Sequence, residues 1–351
     1  MRKIIALYIL TAAICCGCEK IILGPGPENK PSDTFEVLWN TLDEKYALFP
    51  VKNVNWDSLH SVYANQIDAN TTEEELWSIC SQLLSHLKDA HITLFNSSYT
   101  RSYCPWQADE NMKLGFSIEL IKNKFLVNPK TVGEGNITYG KIINTNIGYV
   151  YIATFFPSQN GRDWIQDLDI VLQALHYSDG MIIDIRNNPG GFSRNDLYLA
   201  SAFIDNEINY FNAWMKNGPG HDDFDGPFAR VIVPRNDTLL FTGNKVLLTN
   251  RFSSSGSEVV ALILKNAASS MQIGDTTTGC FGDVVHVAEL PNGWTLNYPC
   301  VLYKTPAGES PEGIGVIPDI CILNTKSDIE AGNDKVLKSA ITSLFPDAIL
   351  P

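Results

Sequence analysis

Through the first third of the chain, apolar residues recur at helical spacing. Phe35, Leu38, Leu42 and Tyr46 line one face of a first helix, and Leu59 and Tyr63 mark a second. A third helix is predicted to start at Thr72-Glu73-Glu74-Glu75, a capping-box pattern with Thr72 as cap and Glu75 reaching back. Its buried face would carry Leu76, Ile79, Leu83, Leu84 and Leu87. Residues 114–120 and 124–127 then read as short strands around a turn at Lys122-Asn123. From Gly148 the pattern becomes α/β: strands at 149–153, 181–185 and 246–248 alternate with helices at 164–175, 195–203 and 255–266. That alternation predicts a sheet covered on both faces, with any site at the strand ends. The Gly- and Asp-rich stretch 217–225 reads as a surface loop.

The first residues differ from everything after them. A short positive start, an apolar run over 4–14 and Cys15-Cys16-Gly17-Cys18 describe an export signal, too short to span a membrane, which takes about 20 residues. A Cys directly after Gly17 resembles the lipobox of bacterial lipoproteins. It implies a signal peptide over 1–17 and a lipid on Cys18, with Cys16 as the alternative. The Pro- and Gly-rich stretch that follows makes 18–33 a tether. The expected product is an exported, membrane-anchored lipoprotein facing the periplasm or the cell surface. Behind the tether stand a helical domain (34–98), a small β subdomain (99–145) and an α/β core (146–351).

Charge narrows the partners. With 26 basic and 39 acidic residues the net charge is −13, which repels phosphate backbones, and no basic stripe offsets it; nucleic acid is excluded as a partner. Beyond the signal, Cys80, Cys104, Cys280, Cys300 and Cys321 form an odd set with no C-x-x-C spacing. One or two disulfides of unassigned pairing are allowed, and a structural zinc site is not expected.

Three turns could carry chemistry. In Asp184-Ile185-Arg186-Asn187-Asn188-Pro189-Gly190-Gly191, paired glycines let the backbone turn sharply and present N–H groups, while Arg186 pairs with Asp184 to pin the turn. In residues 250–258, Asn-Arg-Phe-Ser-Ser-Ser-Gly-Ser-Glu, a serine projects from a strand-to-helix turn beside the donors of a helix start, which suit an oxyanion; an ordinary helix cap is the plain alternative. In Leu87-Lys88-Asp89-Ala90-His91, a helix gives way to a strand at a histidine. A serine nucleophile needs such a base, and the base needs an orienting carboxylate that residue counting alone does not choose. A metal site at His221, Asp222, Asp223 and Asp225 has ligands but no recognised spacing, so a solvated acidic loop is the expectation.

Taken in order, these segments resemble the S41 serine peptidases, the tail-specific or C-terminal-processing proteases. The resemblance also draws in residues 148–152, 274–277 and Glu312-Gly313-Ile314-Gly315-Val316-Ile317-Pro318-Asp319, so it runs over roughly 148–319. It implies Ser255 as nucleophile and Gly256 as one oxyanion donor, with either Gly190 or Gly191 as the other. The lysine and glutamine of the family's Ser–Lys dyad are replaced by Cys280 and Val284. The tricorn-core-like branch uses Ser, His and Glu instead. Matching its motifs implies His91 as base and Glu312 as the orienting carboxylate, with Asp89 as the rival neighbour of the imidazole and a turn-capping role as the rival for Glu312. The implied fold is α/β, a crotonase-like sandwich core behind an N-terminal helical domain and a small β insert, with no complete PDZ domain. The implied activity is peptide-bond cleavage of a peptide or protein substrate through an acyl-enzyme, without metal or organic cofactor. A non-catalytic protein on the same scaffold, binding peptides or apolar ligands, is the rival reading.

Overall fold

The computed structural model describes residues 29–350 except 97, 99, 103–109, 159–162 and 283. The signal segment, Cys18, most of the tether and Cys104 lie outside the described residues. The N-terminal layer holds helices α1 (Pro31–Lys45), α2 (Trp56–Ala64) and α3 (Glu73–Ser85). Pro31 sits in the first turn of α1, where its missing N–H leaves no bond unmade. The capping box on α3 is complete: Thr72 Oγ1 accepts the Glu75 N–H at 3.3 Å, and the Glu75 carboxylate accepts the Thr72 N–H at 2.8 Å. The apolar faces of these helices close on one core, which also takes in Trp294 and Leu296 from far along the chain.

Strands β1 (Thr93–Phe95) and β2 (Thr100–Ser102) follow, then α4 (Ile118–Lys124), β3 (Leu126–Val132), β4 (Ile137–Ile142) and β5 (Ile147–Ile152). Here the sequence reading needs correction, because 118–124 is helix and the preceding 110–115 is a 3-10 segment. The alternation of Leu114, Phe116, Ile118 and Leu120 imitates a strand. Ser117, however, caps a helix, its hydroxyl accepting the Leu120 N–H at 3.2 Å, and Ile121 and Phe125 supply the buried helical face.

The remaining elements are α5 (Trp164–Leu175), β6 (Gly180–Asp184), α6 (Ser193–Ser201), β7 (Ile208–Lys216), β8 (Phe224–Ile232), β9 (Lys245–Thr249), α7 (Gly256–Lys265), β10 (Ser270–Gly274), β11 (Val284–Glu289), β12 (Thr295–Pro299), β13 (Val301–Lys304), β14 (Ile320–Cys321), α8 (Lys326–Glu330) and α9 (Lys335–Leu344). Among the described residues, a seven-stranded sheet runs in the order β14-β10-β9-β6-β5-β4-β3. Pairing is parallel from β14 to β5 and antiparallel beyond, so β3 and β4 extend the central sheet. Strands β6 and β9 are buried along their whole length, as strands between two helical layers are, with Asp184, Lys245 and Thr249 at their ends buried as well. One face packs residues of α5, α6 and α7, including Leu168, Leu199 and Val260; the other packs Ile121, Phe125 and the α9 residues Leu337 and Ile341.

Among the described residues, two smaller sheets stand beside the seven-stranded one. In one, β1 pairs with β12 in antiparallel register, Thr93 opposite Asn297, which ties the N-terminal layer to the core just after His91. In the other, β13, β7 and β8 form a three-stranded sheet whose residues Tyr210, Phe211 and Tyr303 reach the wall of a cleft.

Candidate active site

The C-terminal ends of β6 and β9 lie side by side, and each releases one of the motif turns. After β6, Arg186 grips Asp184 through two parallel hydrogen bonds, Nε to Oδ1 at 2.9 Å and Nη2 to Oδ2 at 2.6 Å. A third bond runs from Nη1 to Asp334 at 3.0 Å, and the guanidinium lies over the Phe116 ring. Burial alone would lower the Arg186 pKa, but the charges of Asp184 and Asp334 overcome it and raise it well above the ordinary value. Arg186 is therefore a structural pin, as the sequence suggests.

The two turns are then laced together. Asn187 and Asn250 exchange bonds, and the Asn188 carbonyl accepts both the Ser254 N–H and the Ser257 hydroxyl at 3.0 Å. Ser253 donates to the Ile185 carbonyl at 2.9 Å. Gly190 has φ +92°, and a Cβ there would fall 2.8 Å from both Ser255 Cβ and the Gly256 nitrogen. Only glycine permits the turn to press this close to the serine.

Ser255 itself sits at φ 54°, ψ −119°, a conformation that non-glycine residues rarely adopt, at the start of α7. Glu258 holds it there. Buried completely, this carboxylate accepts the Ser255 N–H at 3.0 Å, the Gly279 and Cys280 N–H groups at 2.7 and 2.8 Å, and the Thr277 hydroxyl at 2.6 Å. Burial pushes its pKa up to about 7 against the downward pull of those donors. The serine-rich turn is thus braced by Glu258 rather than merely capping a helix.

His91 arrives from the N-terminal layer. The turn after α3 buries Asp89, whose Oδ1 accepts the His91 N–H at 2.8 Å and whose Oδ2 accepts the Tyr46 hydroxyl at 2.7 Å. Pairing of β1 with β12, together with a bond from the Ala47 N–H to the Pro299 carbonyl at 3.0 Å, seats this corner on the core. The imidazole Nε2 then stands 3.3 Å from Ser255 Oγ, across 164 positions of chain.

The two carboxylates weighed for the third role belong to one buried charge cluster with Lys52, and Asp89 is the one beside the imidazole. Asp89 Oδ1 lies 3.8 Å from His91 Nδ1. Glu312 Oε1 accepts from Lys52 Nζ at 2.6 Å, and Oε2 accepts the Phe281 N–H at 2.7 Å. Burial and the charge of Asp89 raise the Glu312 pKa to about 7, with Lys52 pulling the other way. Burial would lower the Lys52 pKa, yet Glu312 and Asp89 hold it above its ordinary value. Lys52 and Tyr46 belong to no motif, and sequence reasoning missed both.

Ser255, His91, Gly191 and Gly256 line one cleft of about 980 Å³. Of the two candidate second donors, the Gly190 N–H is engaged by Asn188 Oδ1 at 2.8 Å, while Gly191 faces the cleft. Cys280, at the position of the dyad's lysine, is a buried residue lining the same cleft. None of Cys80, Cys280, Cys300 and Cys321 forms a disulfide among the described residues. The acidic loop holds no metal arrangement either. Among the described residues no group of three or more His, Cys, Asp or Glu could hold an ion, and His221 instead pairs with Asp43 at 2.9 Å and stacks on Phe49.

Comparison with known proteins gives the family and the fold. The model of peptidase family S41 matches residues 146–322, half of the chain. The chain belongs to peptidase family S41. A second model, the tricorn protease C1 domain, matches residues 27–85. The carboxy-terminal processing protease CtpB of Bacillus subtilis is 27% identical over 186 residues, covering 52% of this chain and 35% of its own. The carboxyl-terminal-processing protease of a Picosynechococcus species is 28% identical over 187 residues, covering 52% and 42%. The chain thus spans well under two thirds of these relatives. A solved structure from Parabacteroides merdae, provisionally described as a peptidase, superposes with a TM-score of 0.81 at 29% identity over 92% of this chain and all of that one. Mature CPAF shares the fold, with a TM-score of 0.67 at 13% identity over 90% and 99% of the two chains.

Proposed function

We propose that this S41 chain is a serine endopeptidase that cleaves peptide or protein substrates through an acyl-enzyme. The observation that carries the reading is the approach of His91 Nε2 to Ser255 Oγ at 3.3 Å, with the serine held in a strained conformation on a braced turn. In the proposed reaction, Oγ gives its proton to Nε2 as it attacks the scissile carbonyl. The resulting oxyanion accepts from the Gly256 N–H and from Gly191, whose neighbour Gly190 already spends its own N–H on Asn188. Each good donor of this kind contributes about 3 kcal/mol to the barrier reduction. The imidazolium then protonates the departing amine, and water, deprotonated by the same imidazole, releases the acyl group from Ser255. The buried carboxylates Glu312 and Asp89 stabilise the imidazolium by their charge, while Asp89 also fixes the backbone at His91.

The proposed setting is that of an exported bacterial lipoprotein, its signal over 1–17 removed and Cys18 lipidated, with the globule held beside a membrane on the periplasmic or outer face. The apolar run over 4–14 and the Gly17-Cys18 pair support this. Metabolic labelling with an alkyne fatty acid tests it: Cys18→Ala should lose the label, and a label kept by that variant overturns the assignment.

The activity is tested by digesting a peptide library with wild type, Ser255→Ala and His91→Ala proteins. Cleavage by wild type alone is expected. Equal cleavage by His91→Ala removes the base from the scheme, and no cleavage by correctly folded wild type favours a binding protein on the same scaffold.

A further inference from the structure

One buried acid in the cleft has no place in the proton-transfer scheme. Asp196, on α6, is 1% exposed, and its carboxyl oxygens meet no side-chain donor among the described residues; the adjacent Leu197 N–H pulls on them, and less than burial does. It lies against the oxyanion turn: a Cβ built on Gly256 would fall 2.4 Å from its Oδ2. It is also the acid among the described residues that line the cleft. A carboxyl group stripped of water and left without a side-chain donor is costly, and proteins keep such groups where a partner comes from outside. Burial accordingly pushes its pKa well above the ordinary value, against the pull of the Leu197 N–H.

The surroundings say what that partner is. Tyr210, Phe211, Phe281 and Tyr303 line the same cleft, with Phe211 and Tyr303 stacked at 5.1 Å and Phe281 edge-on to Phe211 at 5.5 Å. Aromatic faces accept the alkyl stem of a long basic side chain and attract its charged head. Two of the protein's own cations on the cleft are directed elsewhere: Lys113 lies over Phe252, and Arg251 pairs with Asp275 at 3.3 Å. Arg230 stands on the exposed strand β8.

We propose that Asp196 is a specificity-determining residue, receiving a cationic group of the substrate beside the Ser255–Gly256 peptide. This rests on the peptidase reading above and gives it a substrate class, peptides with an ammonium or guanidinium at the reacting end. A lysine or arginine side chain and a free peptide N-terminus share that chemistry. Bringing the cation in supplies the side-chain-type donor Asp196 lacks and returns its carboxylate to the ionised form.

The test uses three matched peptides: N-acetylated with internal lysine, N-acetylated with norleucine in its place, and norleucine with a free N-terminus. Affinity is measured by calorimetry on Ser255→Ala and on Ser255→Ala/Asp196→Asn, and kcat/KM on wild type and Asp196→Asn. A cationic peptide should bind Ser255→Ala about 30-fold more tightly than the uncharged one, since only the cation forms a charge-assisted pair with the buried carboxyl, and Asp196→Asn should erase most of that ratio. The arm that carries the preference distinguishes side chain from N-terminus. No cation preference in Ser255→Ala, or the same preference in the Asp196→Asn protein, overturns the inference, the first without relying on the variant's folding. If charge-selective binding depends on Asp196 but wild type cleaves nothing, the inference stands as a binding site and the peptidase reading falls. If cleavage proceeds with a ratio indifferent to Asp196, the reverse holds.

Discussion

Replacing Lys52 with Met would remove the cation from a nearly closed ion pair. The Lys52 and Glu312 side chains are 8% and 1% exposed, and their charged atoms lie 2.6 Å apart. Removing one partner of such a pair strands the other charge, at a cost of about 3–5 kcal/mol when the pair is fully buried. Glu312 avoids much of that cost by taking up a proton. Its pKa, about 7 with Lys52 present, is held down by that cation. Losing an adjacent opposite charge raises a carboxyl pKa by about 1–3 pH units. In the scheme above the ionised form of Glu312 stabilises the imidazolium, so protonation at Glu312 lowers turnover. The acid limb of the kcat/KM profile should therefore move to higher pH in Lys52→Met by about 1 unit or more. Thermal and urea unfolding of wild type, Lys52→Met, Glu312→Gln and the double variant give the pairwise coupling. The double variant should be less destabilised than the sum of the singles, because neither charge is left alone. An unmoved acid limb together with additivity within about 0.5 kcal/mol would refute the reasoning.

Other consequences follow from the same geometry. Glu258, its pKa raised from 4.5 to about 7, binds its proton more tightly folded than unfolded. Its linked contribution to stability is therefore full below pH 4.5 and lost as pH rises through about 7, a gap corresponding to about 3 kcal/mol. Unfolding of Glu258→Gln across pH 5 to 8 should accordingly depend less on pH than that of wild type, as read by circular dichroism. Gly190→Ala places a methyl 2.8 Å from Ser255 Cβ at a φ of +92°, so activity should be lost and unfolding made easier by about 1–3 kcal/mol. Arg186→Met leaves Asp184 and Asp334 buried beside each other without their shared cation. A loss of about 3–5 kcal/mol in urea unfolding is the expected result.

The parts of this molecule that sequence patterns reveal are those whose causes are local. Helix α5 follows its apolar spacing from Trp164 to Leu175, and α3 starts at the capping box its sequence spells out. The turns after β6 and β9 announce themselves through Gly190, Gly191 and the serine run because backbone geometry restricts which residues fit. Misreading 114–120 has a local cause as well: four apolar residues at alternate positions outweighed one capping serine. Groups that act across the fold leave no such mark. Lys52 meets Glu312 across 260 positions and Tyr46 meets Asp89 across 43, and neither Lys52 nor Tyr46 lies in a motif. Asp196 is invisible for a further reason. It reads as an ordinary residue in the first turn of a helix, and only burial without a side-chain donor sets it apart. Glu258 lay inside a motif, but its four donors come from residues 255, 277, 279 and 280, which only the folded chain assembles.

The claim beneath all of this is that His91 activates Ser255, and intact-mass analysis after reaction with a fluorophosphonate tests it most directly. Wild type should gain one adduct, mapped by peptide fragmentation to Ser255, at a rate that falls by about 100-fold or more in His91→Ala. An adduct on another residue, or labelling of Ser255 at an undiminished rate without the imidazole, would contradict it.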